Sequence, residues 1–163
     1  SLPSSLPGIN LVPVMSAEEM YRACDACFDQ MDLAIMAAAV ADYTPVEPAK
    51  EKIKKKEDQL TITLQKTRDV LKSLGERKKA GQVLVGFALE TNNEAANARE
   101  KLKGKNADMI VLNSMQDAGA GFGTDTNKIT IFDKSGKQFD FDLKSKKAVA
   151  ADIINCISSI YYA

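Results

Sequence analysis

The chain has 163 residues, with hydrophobic side chains at 45% and charged ones at 27%, the balance of one globular domain rather than of a disordered or fibrous chain. Its 22 basic and 22 acidic residues cancel, which excludes the cationic excess that a dedicated nucleic-acid surface needs to displace counterions. There is no histidine and only three cysteines, so Ser-His and Cys-His nucleophile pairs and a disulfide framework are excluded and a reducing cytoplasm is the expected location.

The opening stretch with Pro3, Pro7 and Gly8 reads as loop. Asn10 to Met15 reads as a short strand. Ser16 then starts a helix, because Glu19 stands three residues on and the two can cap each other's backbone donors. Met20, Cys24, Cys27 and Met31 recur at helical spacing and predict its buried stripe. Asp32 to Ala41 is apolar without alternation, as expected of a strand covered on both faces. Lys52 to Lys56 and Leu60 to Gln65, separated by Glu57-Asp58-Gln59, read as an antiparallel hairpin.

Thr67 is expected to cap a helix whose inward residues are Val70, Leu71 and Leu74. Gln82 to Ala88 predicts a buried strand, Asn92 to Gly104 a helix, and Asp108 to Leu112 a third buried strand ending at Asn113. A glycine-rich loop follows, then strands Lys128 to Asp133 and Gln138 to Leu143 around a Ser135-Gly136 turn. Ser145 opens a last helix, buried through Val149, Ile153, Ile157 and Ile160. Buried strands alternating with helices predict a three-layer α/β sandwich in one domain spanning 1–163. Ligands of such sheets bind beyond the carboxyl ends of the strands, which draws attention to the residues after Val40, Phe87 and Leu112.

Asp42 follows a run of alanines that would let a ligand lie against the backbone. It either accepts hydrogen bonds from sugar hydroxyls or an amine, or simply opens a turn. The lysines from Lys50 to Lys56 read mainly as a solvated strand edge that discourages association. Lys101 and Lys105 share one side of a helix, either as a clamp for a polyphosphate or as ornaments of its negative end. Cys24 and Cys27 have redox spacing but fall in mid-helix, away from a dipole that would acidify a thiol, and are expected in the core. A zinc site lacks ligands. Gly119, Gly121 and Gly123 precede a strand rather than the helix a dinucleotide loop requires. The longest apolar run, Leu33 to Ala41, is far short of the roughly 20 residues of a membrane span, and no basic-then-apolar leader opens the chain; neither nucleic acid nor membrane is an expected partner.

Taken in order, Ala38-Ala39-Val40-Ala41-Asp42-Tyr43, Lys52-Ile53-Lys54-Lys55, Val85-Gly86-Phe87-Ala88-Leu89-Glu90-Thr91, Asp108-Met109-Ile110-Val111-Leu112-Asn113 and Gly121-Phe122-Gly123-Thr124-Asp125-Thr126-Asn127 resemble phosphopantothenate–cysteine ligase, in particular the synthetase half of the bacterial bifunctional flavoprotein of coenzyme A biosynthesis. The resemblance implies a Rossmann-like fold with a mostly parallel sheet and an inserted hairpin that belongs to a homodimer interface. It implies a magnesium-dependent ligation in which the carboxylate of 4′-phosphopantothenate attacks the α-phosphate of CTP, and the amine of cysteine then displaces CMP from the acyl-cytidylate. It assigns Ala38, Asp42, Arg68, Asp69, Val70, Leu71, Phe87, Lys101 and Lys105 to the nucleotide, and Lys52 to both the nucleotide and charge stabilisation at the reacting groups. Gly121, Phe122, Asp125 and Asn127 fall in a loop near the substrate; no magnesium ligand is assigned. A flavin-dependent (FMN) decarboxylase domain is the expected neighbour upstream.

Family members begin with a glycine-rich strand–loop–helix unit containing an Asn and a Ser-Ser-Gly turn. Nothing similar stands in this sequence, so the expectation is an N-terminally truncated synthetase domain with little or no ligase turnover on its own. The competing expectations are a non-catalytic α/β nucleotide-binding module and a domain that only dimerises.

Overall fold

The computed structural model describes residues 7–49, 51–54, 59–114 and 124–163. They divide between one unit of Ser1–Cys27 with Ala39–Val70 and another of Phe28–Ala38 with Leu71–Ala163.

In the larger unit, the apolar runs become β1 (Leu33–Met36), β4 (Val83–Glu90) and β5 (Met109–Ser114), paired in parallel, while β6 (Thr126–Asp133) and β7 (Gln138–Ser145) add antiparallel. The strand order is β1-β4-β5-β6-β7, so β6 alone in this sheet runs against the other strands. Alternate residues feed opposite faces, as the pleat requires. Val83, Val85, Met109, Val111, Ile129 and Ile131 pack under α4 (Lys146–Tyr161) through Val149, Ile153, Cys156 and Ile157. On the other face Ala88, Ile110, Leu112 and Phe132 pack with Ala98 and Leu102 of α3 (Glu94–Gly104) and with Leu71. This is the three-layer α/β arrangement expected from the sequence. Ser145 accepts a hydrogen bond from Ala148 N at 3.2 Å, capping α4 as its position predicts.

The smaller unit holds α1 (Ala17–Phe28, all but its last residue) and a two-stranded antiparallel sheet of β2 (Tyr43–Pro45) and β3 (Leu64–Lys66). The reciprocal cap of α1 is present: Glu19 Oε2 accepts from Met15 N and Ser16 N at 2.7 and 3.0 Å, and Ser16 Oγ accepts from Glu19 N at 3.2 Å.

Several local expectations are corrected. Residues 10–15 form no strand and are exposed; Pro13 removes a ladder donor there. The expected hairpin of Lys52–Lys56 with Leu60–Gln65 is corrected where it can be read: Tyr43–Pro45 pairs with Leu64–Lys66, Lys52–Lys54 lie outside any strand, and Lys55 and Lys56 lie outside the described residues. The apolar run from Asp32 supplies only four strand residues, and Ile35 is 37% exposed because β1 sits at the sheet's edge. On α1 the buried residue is Phe28; Cys27 and Met31 are exposed. Thr67 caps nothing: its hydroxyl donates to the Ala41 carbonyl at 2.5 Å, and α2 (Val70–Arg77) begins three residues later.

One buried carboxylate ties the amino edge of the parallel strands together. Asp108, just before β5, has no solvent exposure. Its Oδ1 lies 2.6 Å from Lys134 Nζ, and its Oδ2 accepts from Lys78 Nζ at 2.6 Å and from Leu84 N at 2.8 Å. Its carbonyl accepts from the Tyr161 hydroxyl at 2.8 Å and from Lys134 N at 2.9 Å. Burial alone would raise the Asp108 carboxyl, but the hydrogen bonds from Lys134, Lys78 and Leu84 outweigh it and hold it below the ordinary carboxylate value. Burial, aided by the negative charges of Asp108 and Asp133, pushes the Tyr161 phenol well above its usual value, so it stays a donor.

Two glycines let the helices close on this frame. A Cβ on Gly86 would meet the Leu71 and Ile110 methyl groups at 2.5 and 2.9 Å, and one on Gly75 would press into the Lys105 carbonyl oxygen. Asn106, at φ 48°, returns the contact by donating from Nδ2 to the Gly75 carbonyl at 2.8 Å.

Replacing Asp108 by Asn strands the Lys78 ammonium, whose side chain is only 11% exposed, and is expected to cost about 3–5 kcal/mol at neutral pH, measured by urea unfolding. Because the folded carboxyl titrates below its unfolded value of about 3.9, its contribution is complete above that pH. It drains away as the pH falls toward the folded value, so the wild-type advantage over Asp108→Asn should shrink below about pH 4. Gly75→Ala must displace backbone rather than a side-chain tip and is expected to lose about 1–3 kcal/mol in the same measurement.

Candidate functional site

The carboxyl ends of β1, β4 and β5 lie along one edge of the five-stranded sheet, since the three strands are parallel. Polar side chains gather where the apolar runs stop. Glu90, the last residue of β4, accepts from Asn97 Nδ2 at 3.0 Å, and the same amide donates to the Asn92 carbonyl at 3.1 Å. This fixes the reversal from β4 into α3, in which Asn93 takes a left-handed φ of 45°. Asn127, buried at the start of β6, donates from Nδ2 to Asn113 Oδ1 at 3.0 Å, and its own Oδ1 accepts from Lys128 N at 3.0 Å. The β6–β7 ladder shifts register between Asn127 and Ile129, a bulge that re-aims side chains beside such an edge. The Asp125 carbonyl accepts from Lys146 N at 2.9 Å, joining this corner to the start of α4.

The sequence-derived site residues distribute as follows. Ala38 is exposed just beyond β1, and Asp125 and Asn127 lie at the start of β6. Phe87 packs its ring on the α4 face of the sheet, whereas Lys101 and Lys105 belong to α3 and its C-cap on the opposite face. Lys101 and Lys105 are both half-buried. Asp42, Lys52, Arg68, Asp69 and Val70 belong to the smaller unit. Asp42 and Lys52 are exposed, and the Asp42 carbonyl accepts from Thr67 N at 2.9 Å. The Arg68 guanidinium stacks 4.2 Å from the centroid of the Tyr21 ring, a contact that orients it while leaving its N–H edges available. Val70 is buried and Leu71 half-buried in packing, so at these positions the backbone rather than the side chain is what a ligand can touch. Gly121 and Phe122 lie outside the described residues, as do Gly119 and Gly123.

The sequence places Glu90 and Asn113 inside quoted motifs, Asn113 directly after Leu112, but assigns no role to either or to Asn97. The available signal was their type: a carboxylate and an amide each terminate a buried apolar run where the fold places ligands.

Among the described residues no group of three or more acidic or cysteine side chains converges to hold a metal ion, so they do not build a cage for magnesium. Burial raises the thiols of Cys24 and Cys156, so neither of these two is activated. The expectation that Cys27 is core is corrected, for its sulfur is exposed and lies 3.3 Å from the Ala23 carbonyl. Among the described residues no helix is long and apolar enough to cross a membrane.

A domain of this layered α/β class, with a polar carboxyl edge, has known relatives. Residues 2–161 match the family model described as DNA/pantothenate metabolism flavoprotein C-terminal domain; the chain belongs to that family. It is 51% identical over 162 residues to a protein of an unknown prokaryotic organism named cysteine/cysteine sulfinic acid decarboxylase, covering 99% of this chain and 45% of that one. It is 44% identical over 149 residues to the coenzyme A biosynthesis bifunctional protein CoaBC of Bacillus subtilis, covering 91% of this chain and 36% of that one. The chain thus spans less than half the length of these relatives. The crystal structure of the C-terminal domain of a coenzyme A biosynthesis bifunctional protein CoaBC superimposes with a TM-score of 0.74 at 36% identity, over 91% of this chain and 64% of that one.

Asn127→Ala removes the partner of Asn113 and the acceptor of Lys128 N in a buried corner. It is expected to cost about 1–3 kcal/mol, and in amide NMR spectra the perturbation should centre on Asn113 and Asp125 while leaving the Asp108 cluster unmoved.

Proposed function

We propose that this chain is the phosphopantothenoylcysteine synthetase portion of a bifunctional coenzyme A biosynthesis protein, acting as a CTP-dependent phosphopantothenate–cysteine ligase. The observation that carries the reading is the 44% identity, over nearly the whole chain, to a protein named for coenzyme A biosynthesis. The fused neighbour is then a decarboxylase domain.

In the first half-reaction a carboxylate oxygen of 4′-phosphopantothenate bonds to the α-phosphorus of CTP while the bond to the pyrophosphate oxygen breaks. In the second, the cysteine amine attacks the acyl carbon, the bond to the cytidylate oxygen breaks, CMP departs, and the amine proton passes to solvent. Neither step needs a protein nucleophile, which suits a chain without histidine. What the protein supplies is charge: negative charge spreads over phosphoryl oxygens and is stabilised by fixed cations and backbone donors. Lys52 takes that role at the reacting groups, Lys101 and Lys105 serve the triphosphate, and Asp42 serves the nucleoside. Arg68 and Asp69, with the backbone at Val70 and Leu71, contribute at the start of α2, with Ala38 and Phe87 at further nucleotide contacts and Asp125 and Asn127 on the substrate side. Magnesium enters with the triphosphate, and no step is routed through a protein-bound ion. The hairpin leaves Tyr43, Val46, Ile62 and Leu64 exposed, and two strands are too few to be stable alone, which supports a homodimer joined there.

The test uses the parent polypeptide, with whatever precedes Ser1, supplied with CTP, magnesium, 4′-phosphopantothenate and cysteine. Pyrophosphate release should depend on phosphopantothenate, and CMP release on added cysteine. Lys52→Gln should slow pyrophosphate release by at least about 100-fold, the scale of losing one electrostatic transition-state contact, with an unchanged melting temperature. The 51% identity to a protein named as a decarboxylase favours a second reading, in which CO2 forms from cysteine without CTP; the same vessel, monitored for CO2, separates the two.

A further inference from the structure

The Asn127–Asn113 pair at the carboxyl edge has a fixed direction. Lys128 N is a backbone donor, so the Asn127 atom that meets it at 3.0 Å must be the carbonyl oxygen Oδ1. A side-chain amide has its acceptor at one end and its amino group at the other. Asn127 therefore turns Nδ2 toward Asn113, and the Asn113 atom that receives it at 3.0 Å must be Oδ1. The Asn113 amino group is thereby turned the opposite way. One backbone N–H sets two side-chain amides in succession, which is how a hydrogen-bond network decides amide orientation.

The two residues differ in what they leave available. Asn127 is buried at 9% exposure, and each end of its amide has a partner. Asn113 is only half-buried, and its Nδ2 makes no further hydrogen bond among the described residues. Asn113 stands near the end of β5, opposite Leu89 of β4. Val111 and Phe87, two residues before Asn113 and Leu89, lie on the α4 face of the sheet, and residues two apart on a strand share a face. Leu89 keeps 37% of its exposure, so α4 does not cover this corner. A ligand there meets the apolar side of Phe87 and Leu89 beside one amino group aimed from behind.

We propose that Asn127 is a positioning residue that holds the Asn113 amino group outward at the carboxyl edge, where Asn113 donates to an oxygen acceptor of the nucleotide. An amide turned the other way would set its carbonyl oxygen against the ligand's, two acceptors with no proton between them. The identity of the ligand rests on the ligase reading. The inference deepens that reading by giving Asn113 a contact and by having Asn127 act through Asn113 instead of touching the substrate.

The test turns on Asn127→Asp, which keeps an acceptor for Lys128 N but can no longer donate. Asn113 must then give its amino group to the new carboxylate and turn its own oxygen outward. In the 15N-labelled 163-residue chain the Asn113 side-chain NH2 signals, identified by their loss in Asn113→Ala, should move in Asn127→Asp while the amides around Asp108 stay in place. Unmoved NH2 signals would overturn the positioning role. In the parent polypeptide, assayed for pyrophosphate release, Asn127→Asp and Asn113→Ala should each raise KM for CTP at least about tenfold, the scale of losing a hydrogen bond to a charged group. The kcat should change little, as for a contact made equally in ground and transition states. In the Asn113→Ala background, Asn127→Asp should raise KM no further; an additional rise would mean that Asn127 touches the ligand itself and would overturn the inference. An unchanged KM in Asn113→Ala would remove the Asn113 contact. If the wild-type parent releases no pyrophosphate from CTP, the ligase reading fails and the nucleotide contact with it, while the NH2 signals still decide whether Asn127 sets the Asn113 amide.

Discussion

Asp108 concentrates the problem every buried charge poses: a carboxylate out of water is tolerated only if its lone pairs are met. Here they are met by Lys78, which follows α2, by Leu84 of β4, and by Lys134 of the β6–β7 turn, while Tyr161 of α4 fastens on the same residue's carbonyl. Elements far apart in the sequence thereby share one anchor. No single contact could be removed without leaving an uncompensated charge or donor in a dry place, so the cluster behaves as a unit. Lys134, 60% exposed along its side chain against 11% for Lys78, is the lysine of the cluster more open to solvent, and its ammonium also rides 5.5 Å from the Tyr161 ring centroid.

With the amino edge pinned in this way, the carboxyl edge can vary without unfolding the sheet. That edge is stitched by amide pairs and single hydrogen bonds, Asn97 to Glu90 and Asn127 to Asn113, which are weaker and geometrically more forgiving than a buried ion cluster. The division is the usual one in layered α/β domains: packing and charge burial hold one end, and polar groups chosen for ligands occupy the other. Gly75 and Gly86 serve the same economy from within, because their missing side chains let α2 approach both the turn after α3 and the strand beneath it.

How far the sequence discloses this follows from what each element depends on. Elements governed by local pattern were legible: the Ser16–Glu19 cap, Ser145 before α4, the unbroken apolar runs of β4 and β5, and the polar turn between β6 and β7. Elements governed by partners were not. Leu33 to Ala41 is apolar enough for a central strand, but its place at the sheet's edge leaves it short and half-exposed. Leu60, Ile62 and Leu64 alternate as a strand should, yet the ladder is set by Tyr43–Pro45, whose sequence announces nothing. Thr67 has the chemistry of a cap and uses it on Ala41 instead. Of the site, the lysines and Asp42 received roles by motif; Glu90 and Asn113 stood inside motifs without a role and Asn97 stood outside them, because their hydrogen-bond partners lie 7 and 14 residues away. Asp108 was hidden in plain view as an acid directly before a buried apolar strand, a position where a carboxylate must have partners.

The outermost strand of the sheet, β7, carries Gln138, Asp140 and Asp142 on its exposed positions, alternating with Phe139 and Phe141 turned toward α4. Asp140 is held upright by the Thr130 hydroxyl at 2.8 Å. If two copies tried to merge into a continuous sheet through this border, each would offer the other a row of carboxylates. Like charges placed across such a border oppose the merger, so raising the concentration should not by itself drive fibre growth along this rim.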